Sequence, residues 1–204
     1  MQRSVLTHLA LDVTEPATLV LEIAVAQAYL DAGVASESLV FAGEDGPLAP
    51  TELVTPHGTR VHVLEAPAGS LSIDYSATID GRIAPAPAAH WDLLRYLRPS
   101  RYCESDALAP TALAEFSEVP HEQLLTAVSS WVGTRLSYVS GSSLPTDGAR
   151  ATLLSRRGVC RDYAHLVVAF LRALDVPARV VGVYAPGAKP MDFHAVAEAY
   201  VDDG

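Results

Sequence analysis

The hydrophobic pattern changes its period once along the chain, at the Ala- and Pro-rich stretch Ala84–Ala89. Before it, apolar and polar residues alternate, most clearly in Ser4–Val13; after it, apolar residues recur at helical spacing, as in His121–Leu136. Alternation is typical of half-buried strands, and a 3.6-residue period is typical of amphipathic helices. The pattern therefore predicts an antiparallel β domain over residues 1–90 and a second domain of mixed helices and strands over residues 91–204.

Composition limits the classes of partner. Half of the 204 residues are hydrophobic and the net charge is −10, which is typical of a globular protein whose surface repels nucleic acids and anionic lipids. The most apolar early stretch, Ala17–Leu30, is shorter than a membrane span and carries Glu22, so it is interpreted as a strand region. We expect no nucleic-acid or membrane partner and a cytoplasmic location.

The two cysteines, Cys103 and Cys160, lie in unrelated local contexts. Two cysteines are too few for a secreted disulfide framework, and they lack the paired spacing of a zinc site. Each cysteine must therefore be judged by its own surroundings.

Cys160 begins a predicted helix that runs to Leu174, with Ala164, Val167, Val168 and Leu171 on one apolar stripe. At a helix N-terminus, unpaired amides and the helix dipole stabilise a thiolate, and the amide of Cys160 can donate to a developing oxyanion. Gly158 is interpreted as the residue that lets the backbone approach a substrate. Two predicted strands follow, Ala178–Tyr184 and Phe193–Val201, and His194 at the head of the second can meet Cys160.

Four ordered motifs carry a resemblance to a known family: Pro99–Asp106, Gly158–His165, Pro177–Val180 and Asp192–Ala195. They resemble the transglutaminase-like superfamily, specifically its bacterial branch with an N-terminal β domain. The resemblance implies an α+β fold with a papain-like cysteine core, preceded by an antiparallel β-sandwich-like domain. It also implies that Cys160 is the nucleophile and His194 the base, acting on a protein or peptide substrate through a thioester.

Several alternatives remain open at this level. Hydrolysis by a protease or amidase of the same fold competes with transfer to an amine, and a catalytically silent binding module is a third hypothesis. Taken alone, Cys160 fits an inert core residue and His194 a structural strand residue. Arg161 and Asp162 either frame the site or are solvated residues of a first helical turn.

Other residues are assigned structural roles. His165 lies about 140° around the helix from Cys160 and is expected to face elsewhere, which disfavours zinc binding by Cys160, His165 and His194. Cys103 is placed in a polar junction with a structural role. Trp131 and Tyr138 are interpreted as core residues. No cofactor is expected, and the absence of a calcium-loop spacing predicts no metal requirement.

The family's third catalytic group, an acid on the strand after the histidine strand, is not identified. Asp202 and Asp203 follow His194 too closely, and the sequence ends at Gly204. The core is therefore expected to lack its last strands, to have impaired activity and to self-associate through an exposed sheet edge.

Overall fold

A computed structural model describes residues 1–84, 86–187 and 192–201. The chain divides into two compact units, Met1–Ala86 and Pro87–Gly204. No helix in the described ranges is long and apolar enough to cross a membrane.

The first unit is a sandwich of two antiparallel sheets. One has the order β1-β7-β3-β4 and the other β2-β6-β5. The strands are β1 (Gln2–Val13), β2 (Ala17–Leu21), β3 (Ala35–Gly43), β4 (Gly46–Leu48), β5 (Thr51–Val54), β6 (Arg60–Ala66) and β7 (Gly69–Asp80), with the short helix α1 (Gln27–Asp31) between β2 and β3.

Alternation along the strands builds the core of this unit. Along β7 every second residue from Leu71 to Ile79 is buried. Of these, Ile73 and Tyr75 pack with Phe41 of β3 and Leu64 of β6. Residues of both sheets therefore share one core. The interpretation of Ala17–Leu30 as a strand region is wrong at its end, because Gln27–Asp31 is helical.

The second unit consists of helices and short strands. These are α2 (His90–Leu97), α3 (Ser105–Phe116), α4 (Leu124–Arg135) after a 3₁₀ turn, β8 (Ser137–Tyr138), α5 (Ala149–Ser155), β9 (Arg157–Gly158), α6 (Cys160–Ala173), β10 (Ala178–Val183) and β11 (His194–Ala199). This is the predicted α+β fold.

Helix α6 is the centre of the second unit. Residues 168–171 of α6 are fully buried, and Phe170 meets Phe116 and Trp131 edge to face. Trp131 packs against this core, as the sequence predicted. Helices α3, α4 and α5 and the antiparallel β10–β11 hairpin all contact α6, so the helix that begins with Cys160 is held on several sides.

Candidate active site

Cys160 is the first residue of α6 and is half-buried. Its Sγ donates to the carbonyl oxygen of Phe193 at 3.7 Å, and His194 follows Phe193 as the first residue of β11. His194 pairs with Val183 of β10, so the register of the two strands fixes the position of His194 along α6. Cys160 and His194 line the same cavity, which has a volume of about 360 Å³.

Two elements supply most of the cavity wall. From α6 come Cys160, Tyr163, Ala164 and Val167; from β11 come His194, Ala195, Val196 and Ala197. Positions 163, 164 and 167 fall within about 60° of Cys160 around a helix, so one face of α6 forms the floor. The predicted apolar stripe of α6 therefore serves two purposes. Ala164 and Val167 line the cavity, whereas Val168 and Leu171 lie wholly in the core.

Tyr138 and Ser129 complete the lining, from β8 and α4. Tyr138 is 62% exposed, so its interpretation as a core residue was wrong. The parallel pairing of Tyr138 with Gly158, and the Val139 amide donating to the Gly158 carbonyl at 3.0 Å, bring it beside the turn that precedes Cys160. Its ring lies 6.1 Å from that of Tyr163.

Asp162 fixes the turn before Cys160. Its side chain is fully buried, and its Oδ2 accepts from the Val159 amide at 2.8 Å while Oδ1 accepts from Arg161 at 2.9 Å. Burial alone would raise the pKa of Asp162, but the hydrogen bonds from Val159, Ser143 and Arg161 outweigh burial and keep that pKa below its usual range. The alternative of a solvated first-turn Asp was wrong.

Arg161 extends this network to the loop before α5. Its Nη2 donates to the Leu144 carbonyl at 2.9 Å and contacts the Ser143 hydroxyl at 3.3 Å. Arg161 and Asp162 therefore frame the turn from outside the cavity, since neither lines it.

Gly158 is buried, and a side chain has no room there. A Cβ at this position would lie 2.6 Å from the Cβ of Asp162, closer than two non-bonded carbons can approach. The absence of a side chain therefore makes room for the buried carboxylate.

His165 stacks on Tyr102, with ring centroids 5.3 Å apart and planes 7° from parallel. It is buried, and burial lowers its pKa. It does not line the cavity, in agreement with the structural role expected for it. Within the described ranges, no group of three or more His, Cys, Asp or Glu side chains could hold a metal ion.

Cys103 is 3% exposed and packs in the same core as α6. Burial raises the pKa of its thiol. The sequence placed Cys103 in a polar junction; the structure packs this residue in the apolar core, with Ser100 and Arg172 also acting on its thiol. The structural role assigned to it suits this position.

Asp202 and Asp203, the residues weighed as a third catalytic group, lie outside the described residues. The acid is therefore unassigned.

The fold and the cavity define the class: an α+β protein in which a cysteine at a helix start shares a cavity with a strand histidine. Residues 112–204 match the profile of the Transglutaminase-like superfamily. The chain also aligns with the crystal structure of a proposed cysteine protease from Cytophaga hutchinsonii, at 30% identity and a TM-score of 0.83, over 99% of this chain and 75% of that one. The chain belongs to the transglutaminase-like superfamily.

Two further relatives extend the comparison. The periplasmic domain of TgpA from Pseudomonas aeruginosa shares the fold at 18% identity and a TM-score of 0.50, over 98% of this chain and 66% of that one. An uncharacterized protein of Mycobacterium tuberculosis is 36% identical over 81 residues, which is 39% of this chain and 26% of that protein. The match thus spans about a quarter of the length of that mycobacterial relative.

Proposed function

We propose that this protein is a cysteine enzyme that transfers or hydrolyses acyl groups of peptides or glutamine carboxamides through a thioester on Cys160. The observation that carries the proposal is the shared cavity of Cys160 and His194, with the thiol at the first position of a buried helix. Membership in the transglutaminase-like superfamily supports the same chemistry.

The first half-reaction forms the thioester. His194 accepts the thiol proton, and the sulfur attacks the carbonyl carbon, whose π electrons move to the oxygen. The Cys160 amide, at the first helical position and without an intrahelical acceptor, donates to that oxyanion. When the carbonyl re-forms, the C–N bond breaks and protonated His194 gives its proton to the leaving nitrogen.

The second half-reaction regenerates the thiol. Water or an amine loses a proton to His194 and attacks the thioester carbon. The C–S bond then breaks, and the thiolate regains its proton from His194. Hydrolysis gives a carboxylic acid, whereas attack by an amine gives a new amide.

The framing residues support the proposal indirectly. Asp162 caps the Val159 amide and holds Arg161, which fixes the first turn of α6 and hence the direction of the Cys160 side chain. These residues position the nucleophile without touching the reacting atoms. The chemistry uses no metal or cofactor, since a thiolate and an imidazole supply nucleophile and base.

The test is turnover by matched cysteine variants. We expect Cys160→Ala and His194→Ala to lower kcat/KM on casein-derived peptides by at least about 10³-fold. The matched control is Cys103→Ala, which removes the other thiol and should retain activity per folded molecule. Mass spectrometry of the products formed with and without an added primary amine separates the two reactions, because hydrolysis leaves a carboxylic acid whereas transfer leaves a new amide. Equal activity in Cys160→Ala and the unmodified protein would refute the proposal.

A cytoplasmic location is also proposed, on the absence of paired cysteines in the sequence. Fractionation of the source cells with antibody detection tests it; recovery in a periplasmic or secreted fraction would contradict it.

A further inference from the structure

The cavity beside Cys160 has an apolar interior. Its floor is the face of α6 formed by Ala164 and Val167, whose side chains are 3% and 7% exposed, and Val196 and Ala197 form the wall from β11. Among the described residues that line it there is no Asp, Glu, Lys or Arg. A chemical group that binds in this cavity therefore loses contact with water and gains contact with apolar side chains.

The cavity runs along the helix away from the thiol. Cys160, Ala164 and Val167 follow one another on the same helix face, and seven residues at 1.5 Å each span about 10 Å. Its volume of about 360 Å³ lies at the small end of the range of ligand pockets. This space suits one side chain or acyl chain rather than an extended peptide.

Two tyrosine rings line the cavity. Tyr138 is 62% exposed, and its ring lies 6.1 Å from that of the half-buried Tyr163. Burial raises the pKa of Tyr163, with a further contribution from Tyr138, so the phenol stays neutral. Arg161, next to Cys160 in the chain, is paired with Asp162 and does not line the cavity.

We propose that this cavity is the acyl-donor pocket and that it selects an uncharged, apolar chain next to the reacting carbonyl. This inference rests on the proposed function, because it assumes that the carbonyl reacts at Cys160. A charged side chain buried against Ala164 and Val167 would lose water and meet apolar side chains, which is costly. An apolar chain gains affinity with each methylene buried. Ala164 and Val167 are the specificity-determining residues, with Ser129 at the outer edge.

The experiment compares acetylated aminoacyl 4-nitroanilides of Gly, Ala, Leu, Phe, Gln, Asp and Lys. We expect kcat/KM for Leu or Phe to exceed the values for Gly, Asp and Lys by at least about tenfold. Ala164→Leu, which fills the middle of the cavity, should remove that preference. Retention of the preference in a folded Ala164→Leu protein, or a preference for Asp or Lys, would overturn the inference.

A second pair of variants covers the case in which Ala164→Leu does not fold. Ser129 is exposed and lines the cavity, whereas its neighbour Ser130 is exposed and does not. Ser129→Phe should therefore lower kcat/KM for Leu and Phe substrates by at least about threefold, and Ser130→Phe should leave it unchanged. Equal effects of the two variants would count against the pocket.

A readout without turnover separates the two proposals. Chloromethyl ketones of acetyl-Leu and acetyl-Asp alkylate a thiol with loss of chloride, and the rate at Cys160 can be followed by peptide mass spectrometry. We expect the Leu reagent to react at least about tenfold faster. If Cys160→Ala leaves peptide turnover unchanged but this selectivity holds, the proposed function fails and only the selectivity of the cavity for apolar chains stands. If turnover depends on Cys160 but the side chain has no effect, the function stands and the pocket fails.

Discussion

Each unit of the molecule has an arginine–carboxylate pair with one deeply buried partner, Arg60 in the first unit and Asp162 in the second, and the two pairs have different roles. In the sandwich, Arg60 of β6 pairs with Glu37 of β3 at 2.6 Å and with Glu52 of β5, so the pair joins the two sheets. In the second unit, Arg161 and Asp162 are neighbours in sequence and hold the single turn that precedes Cys160. The first pair stabilises a fold, and the second also positions a side chain.

The strongest test of this difference between the two pairs removes one partner from each. We expect Asp162→Ala to cost about 2–4 kcal/mol in the free energy of unfolding and to lower kcat/KM at least about 100-fold, because the Val159 amide and Arg161 lose their acceptor. Arg60→Ala should cost about 3–5 kcal/mol and leave kcat/KM per folded molecule unchanged. Denaturant titration and peptide hydrolysis measure the two quantities.

The conservative variant Asp162→Asn is the control for positioning. An amide oxygen still accepts from the Val159 amide but carries no charge for Arg161, so it should recover part of the lost kcat/KM. Full activity in Asp162→Ala would show that this carboxylate does not position Cys160.

The two thiols provide a second contrast. Cys103 is almost fully buried and its pKa is raised by burial, whereas Cys160 opens on a cavity. We expect iodoacetamide to label Cys160 at least tenfold faster than Cys103 at pH 7.5. Peptide mass spectrometry over time measures both rates in one sample; equal rates would contradict the placement of the two thiols.

Two glycines of the second unit differ in the space around them: a side chain has no room at Gly158 and has room at Gly133. Gly158→Ala should destabilise by about 1–3 kcal/mol, because the added carbon overlaps Asp162. Gly133 lies in α4 with nothing within 4 Å of an added Cβ, so Gly133→Ala should stabilise by about 0.5–1 kcal/mol. Thermal melts of the two variants measure the difference. The same sign for both would refute the crowding argument.

A smaller effect concerns pH, and here the units should behave alike. Burial is the main cause that lowers the pKa of His62 in the sandwich and of His165 beside α6. A histidine with a lowered folded pKa binds fewer protons folded than unfolded. Each unit should therefore lose stability as the pH falls below about 6.5, down to the folded pKa.

Hydrogen exchange of peptides from each unit, between pH 7.5 and 5, resolves the two contributions. His62→Phe should weaken the pH dependence only in peptides of the first unit, and His165→Phe only in those of the second. A variant that leaves the dependence of its own unit unchanged would show that the buried histidine is not its cause.

Sequence patterns predicted the elements with long, regular periods. The alternation along β1 and the apolar stripe of α6 were predicted from the sequence, because burial on one face imposes a period. Helices α2 and α3 were not predicted: α2 is short, and α3 contains Pro110, a residue that argues against a helix interior.

The sequence predicted that Cys160 and His194 come together, and both line one cavity, but it did not predict the residues around them. Cys160 and His194 belong to recognisable motifs, and Tyr163 could have been placed in the cavity from its spacing of three after Cys160. Tyr138 could not, because the two-residue strands β8 and β9 leave no periodic signal and meet only through tertiary pairing. The burial of Asp162 likewise depends on the loop that supplies Ser143 and Leu144.

The central claim, that Cys160 carries the acyl group, is tested most directly by trapping the intermediate. The protein is mixed with an acetyl-Leu 4-nitrophenyl ester, quenched in acid within the first turnover, digested and analysed by mass spectrometry. We expect the acyl mass on the peptide that contains Cys160, none on that containing Cys103, and loss of the adduct on treatment with neutral hydroxylamine. Turnover without an adduct at Cys160, or unchanged turnover in Cys160→Ala, would contradict the account.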